Sequence, residues 1–353
     1  MNKKLYLFLV LLVFTGLIVF YLISSHVCTE KRYSFDIGSG SIKAKAALVN
    51  HCKGVIVENL GNYVVHNKFV NCLINSNGTN NISVDCFNKG LAAVNDIEHH
   101  YGIKCSEEKC AGVATAWARK ATNSDEIIQG FRDKNINVDI VSQEQEGEIG
   151  FKAARAHKDV KRISEKNTIV WDIGAGSFQL TTLDDEGKLH VYHGSTGIET
   201  YEQVIRSKYR IHQSDELPYL SDTQLQEALE AASKDVGSLV LTDPVIAKKL
   251  QDPKVKVFTM GRPMYWGLKI DLELPANLRK ETLSATALKF SGKTADEMKT
   301  LYHNLPDHFI YSAQASLVVI YGIMNGAGIK EINILDSTMN DYVLTEPKFW
   351  PNK

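Results

Sequence analysis

One short sequence pattern occurs twice in this chain and limits the folds that the chain can adopt. FDIGSGSIKAKAALV begins at Phe35, and WDIGAGSFQLTTL begins at Trp171. Each copy has an apolar run, an aspartate, a turn of small residues that ends in serine, and then an alternating run. This order is typical of a strand, a tight turn and a second strand. Its repetition predicts two related half-domains that face one phosphate.

The two turns are suited to bind an anion. Their glycines lack a Cβ atom, so successive backbone N–H groups can converge on phosphate oxygens, and serine hydroxyls can add further donors. A single turn of this kind is usually only a hairpin, whereas two copies in the same register favour a binding role. The predicted phosphate-binding residues are Gly38, Ser39, Gly40, Ser41, Gly174, Ala175, Gly176 and Ser177.

An aspartate ends the first strand of each copy. Asp36 and Asp172 would repel a bare phosphate, so their place beside an anion site needs a physical reason. Carboxylates are the ligands that hold a hydrated divalent cation, and they can also orient water. We therefore expect Asp36 and Asp172 to bind Mg²⁺ or another divalent cation.

The overall charge excludes a general attraction to nucleic acid. The chain has 353 residues, with 40 lysines and arginines against 41 aspartates and glutamates. Such a balance gives no field that would recruit a polyanion, so an anionic substrate must be captured locally. The length is sufficient for two domains of ordinary size.

The N-terminal residues predict a membrane segment. MNKK is followed by an uncharged apolar run over residues 5–23, which is long enough to span a bilayer. We expect residues 1–27 to form a signal anchor that holds the protein on the membrane, with the remaining chain in the periplasm or outside the cell. Cleavage after Ser25, which would give a secreted or periplasmic protein, is the alternative.

The cysteines indicate an oxidising compartment. All six lie before the second turn, and an even number is typical of disulfides. Cys105 and Cys110 could close a small loop, but the connectivity cannot be read from the sequence. Free buried thiols are the alternative.

Four segments together resemble the exopolyphosphatase/guanosine pentaphosphate phosphohydrolase (Ppx/GppA) family. They are DIGSGS, ATAWARKATNSDEI, IVSQEQEGEIGF and DIGAGSFQL, in the order and approximate spacing of that family, and the resemblance covers residues 33–344. It implies an α/β fold of the actin-like, sugar-kinase-like class, with two ribonuclease H-like domains flanking a cleft. We place these domains at residues 31–150 and 151–345, with the boundary near the acid-led helix predicted over residues 143–162.

The resemblance also implies a reaction and two further site residues. Family members release terminal phosphate from inorganic polyphosphate or from a polyphosphorylated guanosine nucleotide, and they often form homodimers. The family's catalytic base, a glutamate that activates water, matches Glu146. The family's phosphate-contacting arginine matches Arg119.

The second turn departs from the family pattern at one position. The family usually has a glutamate where this chain has Gln179, which can orient water or phosphate but cannot be a charged metal ligand. The same glutamine is typical of apyrases, so an apyrase-like nucleoside di- or triphosphate hydrolase is one alternative. The family's third glycine-rich segment is TMGRPMYWG in this chain, with Pro263 where a flexible loop is expected. This departure gives a second alternative, in which the protein is a phosphate or polyphosphate sensor with weak catalysis.

Overall fold

The computed structural model describes residues 28–74, 78–212 and 219–350, and these residues form two mixed β-sheets. The first sheet has the strand order β3-β2-β1-β4-β5 and the second has the order β10-β11-β9-β6-β7-β8. The described strands are β1 (Thr29–Ile37), β2 (Ile42–Asn50), β3 (Val55–Val65), β4 (Cys110–Ala114), β5 (Asn137–Ile140), β6 (Thr168–Ile173), β7 (Phe178–Leu183), β8 (Leu189–Gly194), β9 (Lys256–Met260), β10 (Asn277–Arg279) and β11 (Glu331–Ile334).

The two sheets begin with the same arrangement of three strands. In the first, β1, β2 and β3 form an antiparallel unit, and β4 and β5 continue the sheet in parallel on the other side of β1. In the second, β6, β7 and β8 form the same antiparallel unit, while β9 and β11 extend it in parallel. The predicted hairpins at the repeated pattern are confirmed, and so is the relationship between the two halves.

Helices cover the sheets and connect their parallel strands. The described α-helices are α1 (Phe69–Ile74), α2 (Val84–Tyr101), α3 (Ala116–Lys120), α4 (Ser124–Asp133), α5 (Gln143–Ala156), α6 (Ile198–Tyr209), α7 (Asp222–Ala232), α8 (Pro244–Gln251), α9 (Lys280–Leu288), α10 (Ala295–Leu301), α11 (Asp307–Ile310), α12 (Ala313–Gly326) and α13 (Met339–Thr345). Irregular helical segments add Glu165–Asn167, Ser233–Gly237, Ser238–Thr242, Pro263–Asp271 and Pro347–Phe349. Pro263 therefore begins a helix, where its fixed φ and missing N–H are tolerated.

Helix α5 connects the two halves and has a defined start. The Ser142 hydroxyl accepts a hydrogen bond from the Gln145 N–H at 3.1 Å, and the Gln145 side chain accepts one from the Ser142 N–H at 2.8 Å. Such a capping box satisfies two N–H groups that the helix itself leaves unpaired. The cap fixes the first turn of α5, which carries Glu146.

The end of the chain returns to the first sheet. An apolar cluster joins α5 and α13 to both sheets through Val113, Ile149, Phe258 and Val343. The Asn340 side chain in α13 also donates to the Lys43 carbonyl at 3.1 Å. The two halves are thus held together by packed side chains on this side of the cleft. The domain ranges 31–150 and 151–345 stay a prediction.

The predicted signal anchor over residues 1–27 lies outside the described residues. Within the residues that the structure does describe, no helix is both long and apolar enough to cross a bilayer.

All six cysteines form disulfides, and all of these bonds lie in the first half of the chain. The pairs are Cys28–Cys52, Cys72–Cys86 and Cys105–Cys110. The expectation of disulfides and of a small loop closed by the last pair is confirmed, and the alternative of free buried thiols is wrong. The disulfide Cys28–Cys52 links the start of β1 to the turn between β2 and β3.

We expect the native protein to take up no alkylating reagent unless it is first reduced. Mass spectrometry of the denatured chain should show no added iodoacetamide groups before reduction and six after it, because every thiol is paired. Alkylation of two or more cysteines without reduction would contradict the pairing.

Candidate functional site

The two repeated turns lie on opposite sides of one cleft of about 1000 Å³, open solvent at its mouth included. Residues 38–41 connect β1 to β2, and residues 174–177 connect β6 to β7. Each turn is closed in the same way, since the Gly38 N–H donates to the Ser41 carbonyl at 3.0 Å and the Gly174 N–H donates to the Ser177 carbonyl at 2.9 Å. All eight predicted turn residues line this cleft.

The turns approach each other so closely that a side chain would not fit between them. A Cβ atom at Gly40 would lie 2.9 Å from the Ala175 Cβ and 2.8 Å from Glu199 Oε1. Neither Gly38, Gly40, Gly174 nor Gly176 is in the left-handed region. At Gly40, glycine is therefore required by space and not by backbone conformation.

Asp36 is buried at the end of β1, and only one of its two carboxylate oxygens is paired. Its Oδ2 atom lies 2.7 Å from Lys43 Nζ, whereas its Oδ1 atom is buried with no hydrogen-bond partner. Burial by itself would lower the pKa of Lys43, but the Asp36 and Asp172 carboxylates together outweigh this effect and raise the pKa. Lys43 therefore stays charged in the cleft, and one Asp36 oxygen stays available for a ligand.

Asp172 occupies the equivalent place at the end of β6. Burial raises its pKa to about 7, and the nearby Glu146 and Asp36 charges add to this shift while Lys43 opposes it. The backbone also comes close, because a Cβ atom at Gly261 would lie 2.7 Å from Asp172 Oδ1. Gly261 has φ +94°, a conformation that other residues rarely adopt.

Glu146 projects into the cleft from the first turn of α5 and is 7% exposed. Burial raises the pKa of its carboxyl group, and the Arg119 guanidinium opposes the shift. Arg119 Nη1 lies 2.8 Å from Glu146 Oε2 and also donates to the Val141 carbonyl at 2.9 Å. The Arg119 guanidinium therefore stabilises the charged form of Glu146 as its ion-pair partner.

Two predicted phosphate contacts lie behind the surface of the cleft. Neither Arg119 nor Gln179 is among the described residues that line the cleft. Arg119 reaches the site through its ion pair with Glu146. Gln179 is 2% exposed, and its Nε2 atom lies 3.5 Å from the Ser177 hydroxyl of the second turn.

Five charged residues that line the cleft were not predicted from the sequence. Lys43 could have been found, since in a hairpin closed at residues 38–41 it falls opposite Asp36. The other four come from distant parts of the chain, and only tertiary packing brings them together. They are Lys68, Glu199, Arg262 and Asp271.

Glu199 lies against the second turn. Its backbone N–H donates to the Ala175 carbonyl at 2.9 Å, which places its side chain at the meeting point of the two turns. The Oε2 atom is buried and has no hydrogen-bond partner. Burial raises the pKa of Glu199 to about 7, and the charge of Lys68 opposes the shift.

The balance of charges in the cleft fits a divalent cation. Five carboxyl groups and three lysine or arginine side chains line it among the described residues, so a phosphate would meet an excess of negative charge. No described cluster of three or more His, Cys, Asp and Glu side chains could hold a metal by itself. Mg²⁺ is usually held by one or two carboxylates, with water and substrate phosphate as its other ligands. Asp36, with its unpartnered oxygen, and Asp172 fit that description.

Comparison with known proteins identifies similar chains. The model of the Ppx/GppA phosphatase family matches residues 65–250. No curated protein sequence matches the chain.

Solved structures share the fold over almost their whole length. A Ppx/GppA family member from Aquifex aeolicus has a TM-score of 0.62 and 14% identity, over 91% of this chain and 98% of that chain. An exopolyphosphatase-like protein has a TM-score of 0.67 and 16% identity, over 90% of this chain and 98% of that one. An exopolyphosphatase from Cytophaga hutchinsonii has a TM-score of 0.60 and 12% identity, over 89% and 96%. The predicted actin-like two-domain α/β fold is supported by this likeness.

We expect the substitution Glu199→Gln to stabilise the protein more at pH 8 than at pH 5. A carboxyl group whose pKa rises from 4.5 to about 7 on folding contributes stability below its unfolded pKa and loses it as the pH rises through 7. The difference between variant and wild type should grow by about 2 kcal/mol over this range, less than full linkage gives because Glu199 is partly exposed.

Urea unfolding at both pH values measures this difference. Glu230→Gln, on the exposed side of α7, is the control. A difference that does not change with pH would show that burial of Glu199 does not perturb its ionisation.

Proposed function

The chain belongs to the Ppx/GppA phosphatase family, and we propose that its cleft releases terminal phosphate from inorganic polyphosphate or a polyphosphorylated guanosine nucleotide. The family match covers more than half of the chain, and the reaction class that goes with it is phosphoanhydride hydrolysis. The observation that carries the proposal is the position of Glu146, a buried carboxyl group that faces the space where the two anion-binding turns meet.

The turns would hold the phosphate that is transferred. Their backbone N–H groups and the hydroxyls of Ser39, Ser41 and Ser177 can donate to its oxygens. Lys43 lies beside them as a fixed positive charge. Phosphoryl transfer requires mainly positioning and neutralisation of charge, and this arrangement supplies both.

Glu146 would act as the general base. Its raised pKa makes it a better proton acceptor than an exposed glutamate. As water attacks the terminal phosphorus, a water proton passes to the Glu146 carboxylate. The bond between that phosphorus and the bridging oxygen then breaks, and the shortened chain or nucleotide leaves with the bridging oxygen.

Asp36 and Asp172 would hold Mg²⁺. When bound, the cation neutralises phosphate oxygens that would otherwise face two carboxylates. Arg119 and Gln179, the two predicted phosphate contacts that do not line the cleft, would act as positioning residues. Arg119 holds the Glu146 carboxyl group in place, and Gln179 orients the Ser177 hydroxyl.

We propose that the enzyme works in the periplasm or outside the cell, anchored through residues 1–27. Three disulfides support an oxidising compartment. Cysteines found reduced in protein trapped from cells by acid would contradict this location. A homodimer stays a prediction, and light scattering of the purified protein would test it.

Glu146→Gln should lower kcat by roughly 10²- to 10⁴-fold, because the amide cannot accept the water proton. Phosphate release from polyphosphate and from guanosine pentaphosphate measures the effect. Glu144→Gln is the matched control, since Glu144 lies in the same helical turn but pairs with His193 at 3.0 Å. Near-normal turnover by a folded Glu146→Gln protein would rule out this residue as the base.

Removal of divalent cations with EDTA should lower activity at least about 100-fold, and added Mg²⁺ should restore it. Asp36→Asn should weaken this restoration, because the amide lacks the charge that holds the cation. The melting temperature gives an independent reading, since Mg²⁺ with phosphate should stabilise wild type more than the variant. Full activity in EDTA would exclude the metal role of both aspartates.

A further inference from the structure

Each of the two anion-binding turns accepts a hydrogen bond from a helix that follows it in the chain. In the second half, the Glu199 N–H at the start of α6 donates to the Ala175 carbonyl at 2.9 Å. In the first half, the Val70 N–H of α1 donates to the Ser39 carbonyl at 2.9 Å. The position of each turn therefore depends on the helix beside it.

The contact with α1 sets the direction of one donor in the first turn. The carbonyl of a trans peptide unit and the N–H that follows it point in opposite directions. Because Val70 holds the Ser39 carbonyl toward α1, the Gly40 N–H points away from α1. A displacement of α1 would thus change the orientation of a donor in the turn that is suited to bind phosphate.

The residue before α1 also brings a positive charge to the cleft. Lys68 lines the cleft, and its charge acts on Glu199, which lies where the two turns meet. Lys43 is already 2.7 Å from Asp36, and Arg262 belongs to the second half. Lys68 is therefore the further cation that the first half adds to the cleft, among the residues that the structure describes.

Helix α1 is too short to keep its position without support from other elements. It has six residues, whereas α6 has 12, and so short a helix is marginal in isolation. At its start, the fully buried Phe69 ring stacks on the Trp117 ring with the centroids 4.2 Å apart. Nearer its end, Cys72 forms a disulfide with Cys86 in the first turn of α2.

This disulfide connects Lys68 to a fixed part of the first half. The Cys72 Sγ atom lies 3.5 Å from the Lys68 carbonyl oxygen. Cys86 is buried, and its N–H donates at 3.3 Å to the hydroxyl of Ser83, which caps α2. Helix α2 has 18 residues and packs into the apolar core of the first sheet. The bond therefore attaches the short α1 to the longest described helix.

We propose that Lys68 is a phosphate-binding residue of the cleft and that the disulfide Cys72–Cys86 positions it together with the first turn. This inference rests on the proposed function, because the phosphates that Lys68 contacts are those of the substrate. Cys72 and Cys86 are positioning residues, since they act through α1 and do not touch the substrate. An enzyme in which this bond is open binds phosphate weakly but still hydrolyses it.

The test separates binding from turnover in three variants, with tripolyphosphate and Mg²⁺ as the substrate. Cys72→Ala/Cys86→Ala and Lys68→Met should each raise KM about tenfold, the scale of one hydrogen bond to a charged group. Neither should change kcat much, because Glu146 and both aspartates are intact. The triple variant should raise KM far less than the product of the two effects, because both act through Lys68.

Cys105→Ala/Cys110→Ala is the matched control. Cys110 pairs with Tyr33 in the register of β4 and β1, at the end of these strands that is remote from the first turn. This control also loses one disulfide of the first half, so both cysteine variants should have a lower melting temperature. Only loss of the positioning role should raise KM.

Different results would overturn different parts of the proposal. An unchanged KM in Cys72→Ala/Cys86→Ala, or an equal rise in the control, would exclude the positioning role of this disulfide. An unchanged KM in Lys68→Met would exclude the phosphate contact. If the folded wild type releases no phosphate, the proposed function fails, and calorimetric titration with tripolyphosphate and Mg²⁺ decides the inference by itself. Equal affinity in wild type and all variants would then exclude it.

Discussion

The close approach of the two repeated turns is the constraint on which the rest of the site depends. Gly40 faces Ala175 across a gap too narrow for one more carbon atom. Because each turn ends a buried strand, their meeting brings Asp36 and Asp172 to the same place from opposite halves of the chain. Side chains larger than glycine or alanine at the contact would separate the halves and, with them, the two aspartates.

This convergence buries more carboxylate charge than the neighbouring lysine and arginine side chains neutralise. Asp36 has Lys43 and Glu146 has Arg119, but Asp172 has no lysine or arginine in direct contact among the described residues. Burial of an unpaired carboxylate is costly, and the pKa of about 7 at Asp172 reflects that cost. A bound cation would remove this cost, so the burial of these carboxyl groups favours binding of metal and phosphate in the cleft.

Site residues that lie close together in the sequence could be placed from the sequence, whereas those that lie far apart could not. Within each hairpin the register follows from local rules, and the positions of Asp36, Asp172 and the turn residues in the cleft agree with expectation. Glu199 and Arg262 could not be found in this way, because two strands separate Glu199 from the second turn and several further strands and helices separate Arg262 from it. The roles of Arg119 and Gln179 came from a resemblance, and the structure places both behind the residues they were expected to join, so those roles stay predictions.

A comparison of the two hairpins explains the asymmetry of the site. Lys43 lies opposite Asp36 in the first hairpin, and Gln179 lies opposite Asp172 in the second, at the same distance from the turn. The first half thus supplies both a carboxylate and its counter-ion, whereas the second supplies a carboxylate beside a neutral amide. A site built from two equal halves would bind one phosphate in two equivalent ways. Because only one aspartate here has a lysine beside it, the two sides of the cleft would offer unequal surroundings to a cation or a phosphate.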